Sequence, residues 1–302
     1  MNIESLALLA GCLALGYLAA HFGKPPQGLS QNLNWWALNV ALPALVLELI
    51  PGVRIDAHLW YLPVAIYVVF LGGWAFAALL GSLFKWTRAR TGAVALSAGL
   101  GNTALVGFPL IEALRGKEGL ALAAFADQLG CLIALALGGI TVAALYSGGK
   151  PEPRDIIRRV VFFPAFIALI VGLVAGALGG WPPVIDHFVA RIGATLTPVA
   201  LFAIGLQFTL RIDRQRLGAA ALALSWKLAL APAVIYLLGR TAGVGGLTLT
   251  ISVLSSGMAP MATVSILAIQ YKLDYEVANM ALGAGLVISL FSVPWMNHLL
   301  PM

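Results

Sequence analysis

Stretches of about 20 apolar residues, separated by short polar or Pro/Gly-rich turns, recur along the whole chain. A helix needs about 20 such residues to cross the hydrocarbon core of a bilayer. The pattern predicts ten spans, over roughly 4–22, 34–50, 59–84, 91–114, 119–147, 159–179, 188–209, 217–239, 246–270 and 276–299. The longest polar turn, SGGKPEPRDIIR at 147–158, separates five spans in 1–147 from five in 159–302, with 148–158 as a linker.

The fourth span is long enough to cross, yet its centre is a poor helix. Residues 97–115 read SAGLGNTALVGFPLIEALR, where Gly99, Gly101 and Gly107 weaken the helix and Pro109 removes a backbone donor. Asn102 and Thr103 put polar side chains beside the weak point. Backbone groups freed at membrane depth are tolerated only against protein or water, so this break should face an interior or a cavity. The ninth span, VLSSGMAPMATVSIL, is interrupted in the same way.

These breaks occupy matching places in the two halves. Pro109 and Pro260 are 151 residues apart, and Pro43 and Pro198, in spans 2 and 7, are 155 apart. Five spans per half would insert the second half upside down. Paired interrupted helices in inverted halves are the sequence-level pointer to a transporter's binding site.

Composition narrows the class further. The chain has 302 residues, 61% hydrophobic and 10% charged, with mean hydropathy +0.95. That leaves no room for a separate soluble domain of roughly 100 residues. The net charge of +6 does not point to nucleic acid, because the basic residues sit between apolar runs and report topology. With the N-terminus outside, inner turns carry twelve of the 18 basic residues and outer turns five (Arg54, Arg115, Lys117, Arg191 and Arg240). The bias predicts both termini outside; the expected location is a plasma membrane, of bacterial inner-membrane type. Trp35, Trp36, Trp86 and Trp181 fall near span ends, as interfacial belts do. The first apolar run lacks a basic leader and a cleavage site, and is expected to be retained.

No metal or cofactor site is expected. His21, His58, His187 and His298 lie at span ends, Cys12 and Cys131 lie inside spans, and neither HExxH nor GxxxxGK[ST] occurs. An intramembrane enzyme would need a paired catalytic set, and no such spacing is present. Matched half-helices also occur in channels, so a passive anion pore is an alternative class.

The stretch GNTALVGFPLI at 101–111 resembles the fourth-helix motif of the auxin efflux carrier family, which includes plant auxin exporters and bacterial carboxylate permeases. LNVALPALVLELI at 38–50, TPVALFAIGLQF at 197–208, KLALAP at 227–232 and MAPMATVSILAIQYKLD at 258–274 resemble its second, seventh, eighth and ninth helices. Where many members carry a second proline or an asparagine near the ninth-helix break, this chain has Ala259 and Thr263. The resemblance implies an all-α polytopic membrane protein. Its ten helices would form two inverted five-helix repeats with crossed broken helices 4 and 9, as in the bile-acid/sodium symporter fold. It also implies a scaffold of spans 1, 2, 6 and 7, carrying a homodimer contact, and a moving unit of spans 3–5 and 8–10.

Crossed broken helices would present four half-helix ends near one point, N-termini suited to a carboxylate and C-termini suited to a cation. The substrate-binding candidates are Gly101, Asn102, Thr103 and Pro109 in span 4, with Ser255, Ser256, Met258, Pro260 and Thr263 in span 9. Asn39 and Thr195, before the prolines of spans 2 and 7, would line the cavity. A bland role competes in each case: Asn commonly caps helices, and Ser and Thr often bond their own backbone.

Asp127 lies some eight residues, roughly 12 Å, into span 5. A carboxylate so deep marks an ion or proton pathway by default. Asp127 is therefore the coupling candidate, with Gln128 beside it on a different face. Lys227, about ten residues into span 8, could hold an anion, pair with Asp127 or brace the scaffold.

The expected function is secondary transport of a small organic anion by an elevator or rocking motion. A mono- or dicarboxylate such as malonate or malate is the first reading, and an auxin-like or bile-acid-like anion the second. The coupling ion would be H⁺ at Asp127 or Na⁺ at the broken-helix carbonyls.

Overall fold

The computed structural model describes residues 3–53, 57–148, 161–207 and 213–300, with side chains from Leu8 onward. Among the described residues the chain is helical, and the only β pairing is one isolated bridge. In chain order the helices are α1 (Ile3–Phe22), α2 (Leu29–Trp36), α3 (Leu42–Leu49), α4 (Tyr61–Leu83), α5 (Arg88–Gly99), α6 (Phe108–Ala126), α7 (Ile140–Ser147), α8 (Pro164–Ala177), α9 (Pro183–Gly193), α10 (Leu196–Gln207), α11 (Arg214–Ser225), α12 (Ala231–Thr241), α13 (Gly246–Ser256), α14 (Ala262–Gln270) and α15 (Tyr275–Leu299). Of the expected linker only Gly148 is described. Arg54 of the outer turns, and Lys150, Arg154, Arg158, Arg159 and Arg211 among the twelve inner basic residues counted for orientation, also lie outside the described residues.

Among the described residues, six helical segments are long and apolar enough to cross a membrane: Leu29–Gly52, Tyr61–Leu83, Thr103–Ser147, Pro183–Gln207, Arg214–Thr241 and Tyr275–Leu299. Leu8–Phe22, Pro164–Ala177 and Gly246–Ser256 are shorter apolar helices. The 45-residue segment would run about 67 Å if unbroken, twice a bilayer core. It is interrupted at Gly116, whose φ of 66° and ψ of −165° favour glycine. Large apolar side chains such as Phe22, Leu79, Leu178 and Phe291 face outward, as lipid contact requires. The protein is an all-α polytopic membrane protein.

Prolines set much of the local geometry. Three π-helical turns, Ala37–Ala41, Thr103–Gly107 and Trp226–Leu230, each end two residues before a proline: Pro43, Pro109 and Pro232. A proline has no N–H and crowds the carbonyl four residues back. Widening the preceding turn to i→i+5 relieves that clash without ending the helix. Two further π turns, Asp127–Cys131 and Ala134–Gly139, have no proline behind them.

The helices form two compact units. The first comprises Met1–Asp56, Ala104–Gln128 and Val161–Thr209. In it α1 packs along α10, while α8 and α9 pack on α3. The α1–α10 contact is set by Gly16 and Gly205. A Cβ on Gly16 would strike the Phe202 carbonyl, and one on Gly205 would strike the Leu13 carbonyl. Small residues at such crossings let membrane helices gain dispersion contact that lipid would otherwise supply.

The second unit comprises Ala57–Thr103, Leu129–Val160 and Leu210–Met302. Here α5 is packed by α4, α7, α11 and α15, and α13 by α4 and α12. A cluster of Ala220, Leu224, Leu228, Met280 and Ala281 closes the α11–α15 contact. Thr87 caps α5 by accepting from the Arg90 amide (3.2 Å), and Asp213 caps α11 by accepting from the Gln215 amide (2.9 Å). Beside these caps Arg90 and Arg216 both grip Asp274, with N–O distances of 3.0 and 3.1 Å. Arg216 also pairs with Asp213 and, at 2.6 Å, with Glu276. The Gln215 amide, and then the Arg216 guanidinium, hold the Asp213 carboxyl below the usual carboxylate range.

Candidate functional site at the paired helix breaks

In the second unit two helices stop short and their free ends pair. Helix α5 ends at Gly99, and Leu100 turns to extended backbone (φ −102°, ψ 123°). Helix α13 ends at Ser256, and the chain resumes a helix only at Ala262. Between them the Asn102 amide donates to the Ala259 carbonyl (2.7 Å) and the Met261 amide donates to the Leu100 carbonyl (3.1 Å). Gly101 and Pro260 face each other in this antiparallel bridge. Each break thus satisfies backbone groups of the other, as membrane depth demands. Every residue from 91 to 111 and from 248 to 260 is buried, so both breaks lie in the protein interior.

The sequence candidates distribute unevenly around this pairing. Gly101, Asn102, Thr103, Ser255, Ser256, Met258 and Pro260 are all buried and belong to the paired stretch or its flanks. The Ser256 hydroxyl donates to the Val253 carbonyl (2.6 Å), which is the local role expected of a helical serine. The Ser255 hydroxyl is buried without a hydrogen-bond partner, and so is that of Ser97. Thr263 is half-buried in the first turn of α14, whose N-terminus has no side-chain cap.

Lys227 belongs to the same place. It is 2% exposed, and its ammonium points at the break: a Cβ on Gly101 would stand 2.9 Å from Nζ and 3.7 Å from the Ser255 carbonyl oxygen. Among the described residues the ammonium makes no ion pair. Cys131, which no motif in the sequence marks, donates its Sγ–H to the Gly101 carbonyl (3.3 Å).

The remaining candidates lie in the first unit. Pro109 is buried at the second position of α6. Asn39 donates to its own helix at Trp35 O (2.9 Å), and Thr195 donates to Ile192 O (2.7 Å) while accepting from Trp36 Nε1 (3.1 Å). Asp127 is 6% exposed and Gln128 fully buried. Gln128, expected on another face, donates Nε2 to the Asp127 carboxylate at 2.9 Å, while its Oε1 has no partner. The π turn that begins at Asp127 changes the helical register there. Four of these polar residues or pairs sit in π turns: Asn39, Thr103, Asp127 with Gln128, and Lys227. Such turns in α-helices are frequent at functional sites.

A family model described as membrane transport protein matches residues 2–297. The chain belongs to this family, that of the auxin efflux carriers. The transporter is 24% identical over 302 aligned positions to an "Uncharacterized transporter" of Methanothermobacter thermautotrophicus, covering 97% of this chain and 96% of that one. It is 25% identical over 284 positions to another from Methanocaldococcus jannaschii, covering 91% of each. It is 26% identical over 314 positions to a protein of Rhizobium meliloti named "Putative malonate transporter", covering 96% of this chain and 92% of that one. These matches run nearly end to end. The protein is a multi-pass membrane transporter and not an enzyme.

Proposed function

We propose that the transporter carries a small mono- or dicarboxylate, with malonate and malate the first candidates, by alternating access at the paired breaks. The observation that carries this reading is the chemistry of the pairing. A buried interior holds two hydroxyls without partners, from Ser97 and Ser255, and the ammonium of Lys227, beside Asn102 and Thr103. Polar groups at that depth cost several kcal/mol unless they serve an ion or solute. Asn102, Thr103 and the uncapped first turn of α14 would receive a carboxylate, since free amides and a positive helix end favour anions. The relative named as a malonate transporter supports this substrate class.

In this reading the ten spans form inverted five-helix repeats with both termini outside. Spans 1, 2, 6 and 7 fall within the first compact unit and are the scaffold, with the contact for a second copy. Spans 3, 8, 9 and 10 fall within the second and move with the substrate; spans 4 and 5 contribute to both. A proton bound at Asp127 couples the cycle.

The test is uptake of labelled malonate and malate into liposomes holding the purified protein, with pH and Na⁺ gradients imposed separately. Saturable, gradient-driven uptake that Asn102→Ala abolishes is the expected result. Non-saturating flux without counterflow would make the protein a pore and overturn the proposal.

A further inference from the structure

Helices α4, α8, α12 and α14 end in the same closure. The amide two residues past each cap donates back to a carbonyl five residues earlier: Trp86 to Gly81 (2.9 Å), and Gly180 to Ala175, Val244 to Gly239 and Leu273 to Ala268 (2.8 Å each). The closure needs a left-handed residue just past the cap, and glycine is its usual occupant. Helices α8 and α12 follow that rule with Gly179 (φ 99°) and Gly243 (φ 73°). Helices α4 and α14 instead place Lys85 (φ 52°) and Lys272 (φ 53°) there. A Cβ makes that conformation unfavourable. The hydrogen bonding is the same in all four, so the turn itself does not explain the lysines.

The two lysines share one end of the second unit. The Asp274 amide, two residues past Lys272, donates to the Ala89 carbonyl (3.2 Å), just past the turn that holds Lys85. Glycine closes the other end. Gly243 follows α12, whose Gly239 lies against Tyr61 at the start of α4, and α4 runs about 34 Å from there to Leu83. The lysine end also carries Arg88, Arg90, Arg214 and Arg216. Arg90 and Arg216 are held by Asp274, Asp213 and Glu276, whereas Lys85 and Lys272 are exposed and form no ion pair among the described residues. Aromatic rings flank both lysines: Phe84 stacks on Trp86 with centroids 5.8 Å apart, and Tyr271 and Tyr275 bracket Lys272. Such rings collect at the headgroup level of a bilayer. A strained residue persists where something beyond its own turn compensates.

We propose that Lys85 and Lys272 dock the second unit on anionic phospholipid, each ammonium meeting a headgroup phosphate at the inner surface of the membrane. Anionic lipid attracts basic side chains at that surface. The contact offsets the strain that glycine would avoid. The inference is independent of the carried solute and of the coupling ion, and it uses the proposed orientation only to name this surface the inner one.

The experiment measures thermal unfolding of the purified full chain in a neutral detergent, alone and with phosphatidylglycerol or phosphatidylcholine added to the micelles at low ionic strength. Wild type should gain several degrees from phosphatidylglycerol over phosphatidylcholine and lose most of that gain in high salt. A double variant, Lys85→Gly with Lys272→Gly, should melt at or slightly above wild type in detergent alone, because the strain is relieved. It should lose at least half of the phosphatidylglycerol gain. Lys85→Arg with Lys272→Arg keeps both charges and should keep the gain. Inorganic phosphate at the same ionic strength should give none. Wild type without a lipid-specific gain overturns the proposal. So does a glycine variant that keeps the whole gain or melts well below wild type in detergent alone. Phosphate that reproduces the gain would make the ligand a soluble anion and overturn it too. If the double variant does not yield folded protein, the two single glycine variants take its place, each losing part of the gain. Micelles have no sides and the samples contain no malonate, so neither a reversed orientation nor a failure to carry malonate changes the result.

Discussion

Gly101 and Pro260 face each other as the non-hydrogen-bonded pair of an antiparallel bridge, flanked by the bonds from Asn102 to Ala259 and from Met261 to Leu100. This explains both residue types. At a non-bonded position the proline's missing N–H costs nothing, and the close approach of backbones there favours glycine opposite. Gly101→Ala would place a methyl 2.9 Å from Lys227 Nζ and 3.1 Å from Cε. Overpacking of this kind costs about 1–3 kcal/mol. The expected outcome is a melting temperature lower by several degrees together with impaired transport. Gly218→Ala, where a Cβ meets nothing within 4 Å on α11, should instead stabilise by about 0.5–1 kcal/mol through helix propensity. Opposite signs in parallel melting curves would check both.

Asn102 contributes to the break in two separable ways. Its amide holds Ala259, and that bond survives truncation of the side chain. Asn102→Ala should therefore fold, with a melting temperature within a few degrees of wild type, while anion binding falls at least tenfold. Thermal shift against a panel of small carboxylates measures both quantities on one sample. Binding at normal affinity would move the site away from the pairing.

Asp127→Asn isolates charge from shape. Gln128 Nε2 donates to a carboxylate oxygen at 2.9 Å, and the amide oxygen of asparagine can accept the same bond. The variant should keep its fold and still exchange labelled substrate across the bilayer. It should lose accumulation driven by a pH gradient. If accumulation persists, Asp127 is not the coupling group.

The glycines, prolines and small polar residues of spans 4 and 9 announce the breaks directly, and the structure interrupts the helix inside both stretches. Three of the five π turns were also legible in principle, since Pro43, Pro109 and Pro232 each follow one at a fixed distance. The π turn at Asp127 was not, because neither glycine nor proline spacing marks it, and so its effect on Gln128 was missed. The approach of Lys227 and Cys131 to Gly101 joins positions 126 and 30 residues away from it. Only the missing side chain at Gly101 hints at it, and a glycine in a broken helix already has a sufficient local reason to be there.

The charged cluster at Asp274 is the last test, and it concerns the second unit's integrity rather than its substrate. One carboxylate serves two guanidiniums from α5 and α11, and the Asp274 amide also donates to the Ala89 carbonyl at 3.2 Å. The Asp274 side chain is 12% exposed, against 28% and 29% for Arg90 and Arg216. Networks of this kind exceed isolated surface pairs, which are worth about 0–1 kcal/mol. Asp274→Asn keeps the shape and removes the charge that offsets two cations, and it should destabilise by about 1–3 kcal/mol. Lys117 pairs with Glu48 at 2.7 Å in the first unit, but its side chain is 75% exposed, so Lys117→Ala should cost under about 0.5 kcal/mol. Acid should weaken the Asp274 cluster through Asp213 as well. Its carboxyl is held below the ordinary range, so its contribution is full above the unfolded-state value and is lost as pH falls through the lowered one. Melting curves of wild type and Asp213→Asn from neutral pH downward should therefore converge as the acid limit is approached, and curves that stay parallel would show that the Asp213 carboxylate does not help hold the unit together.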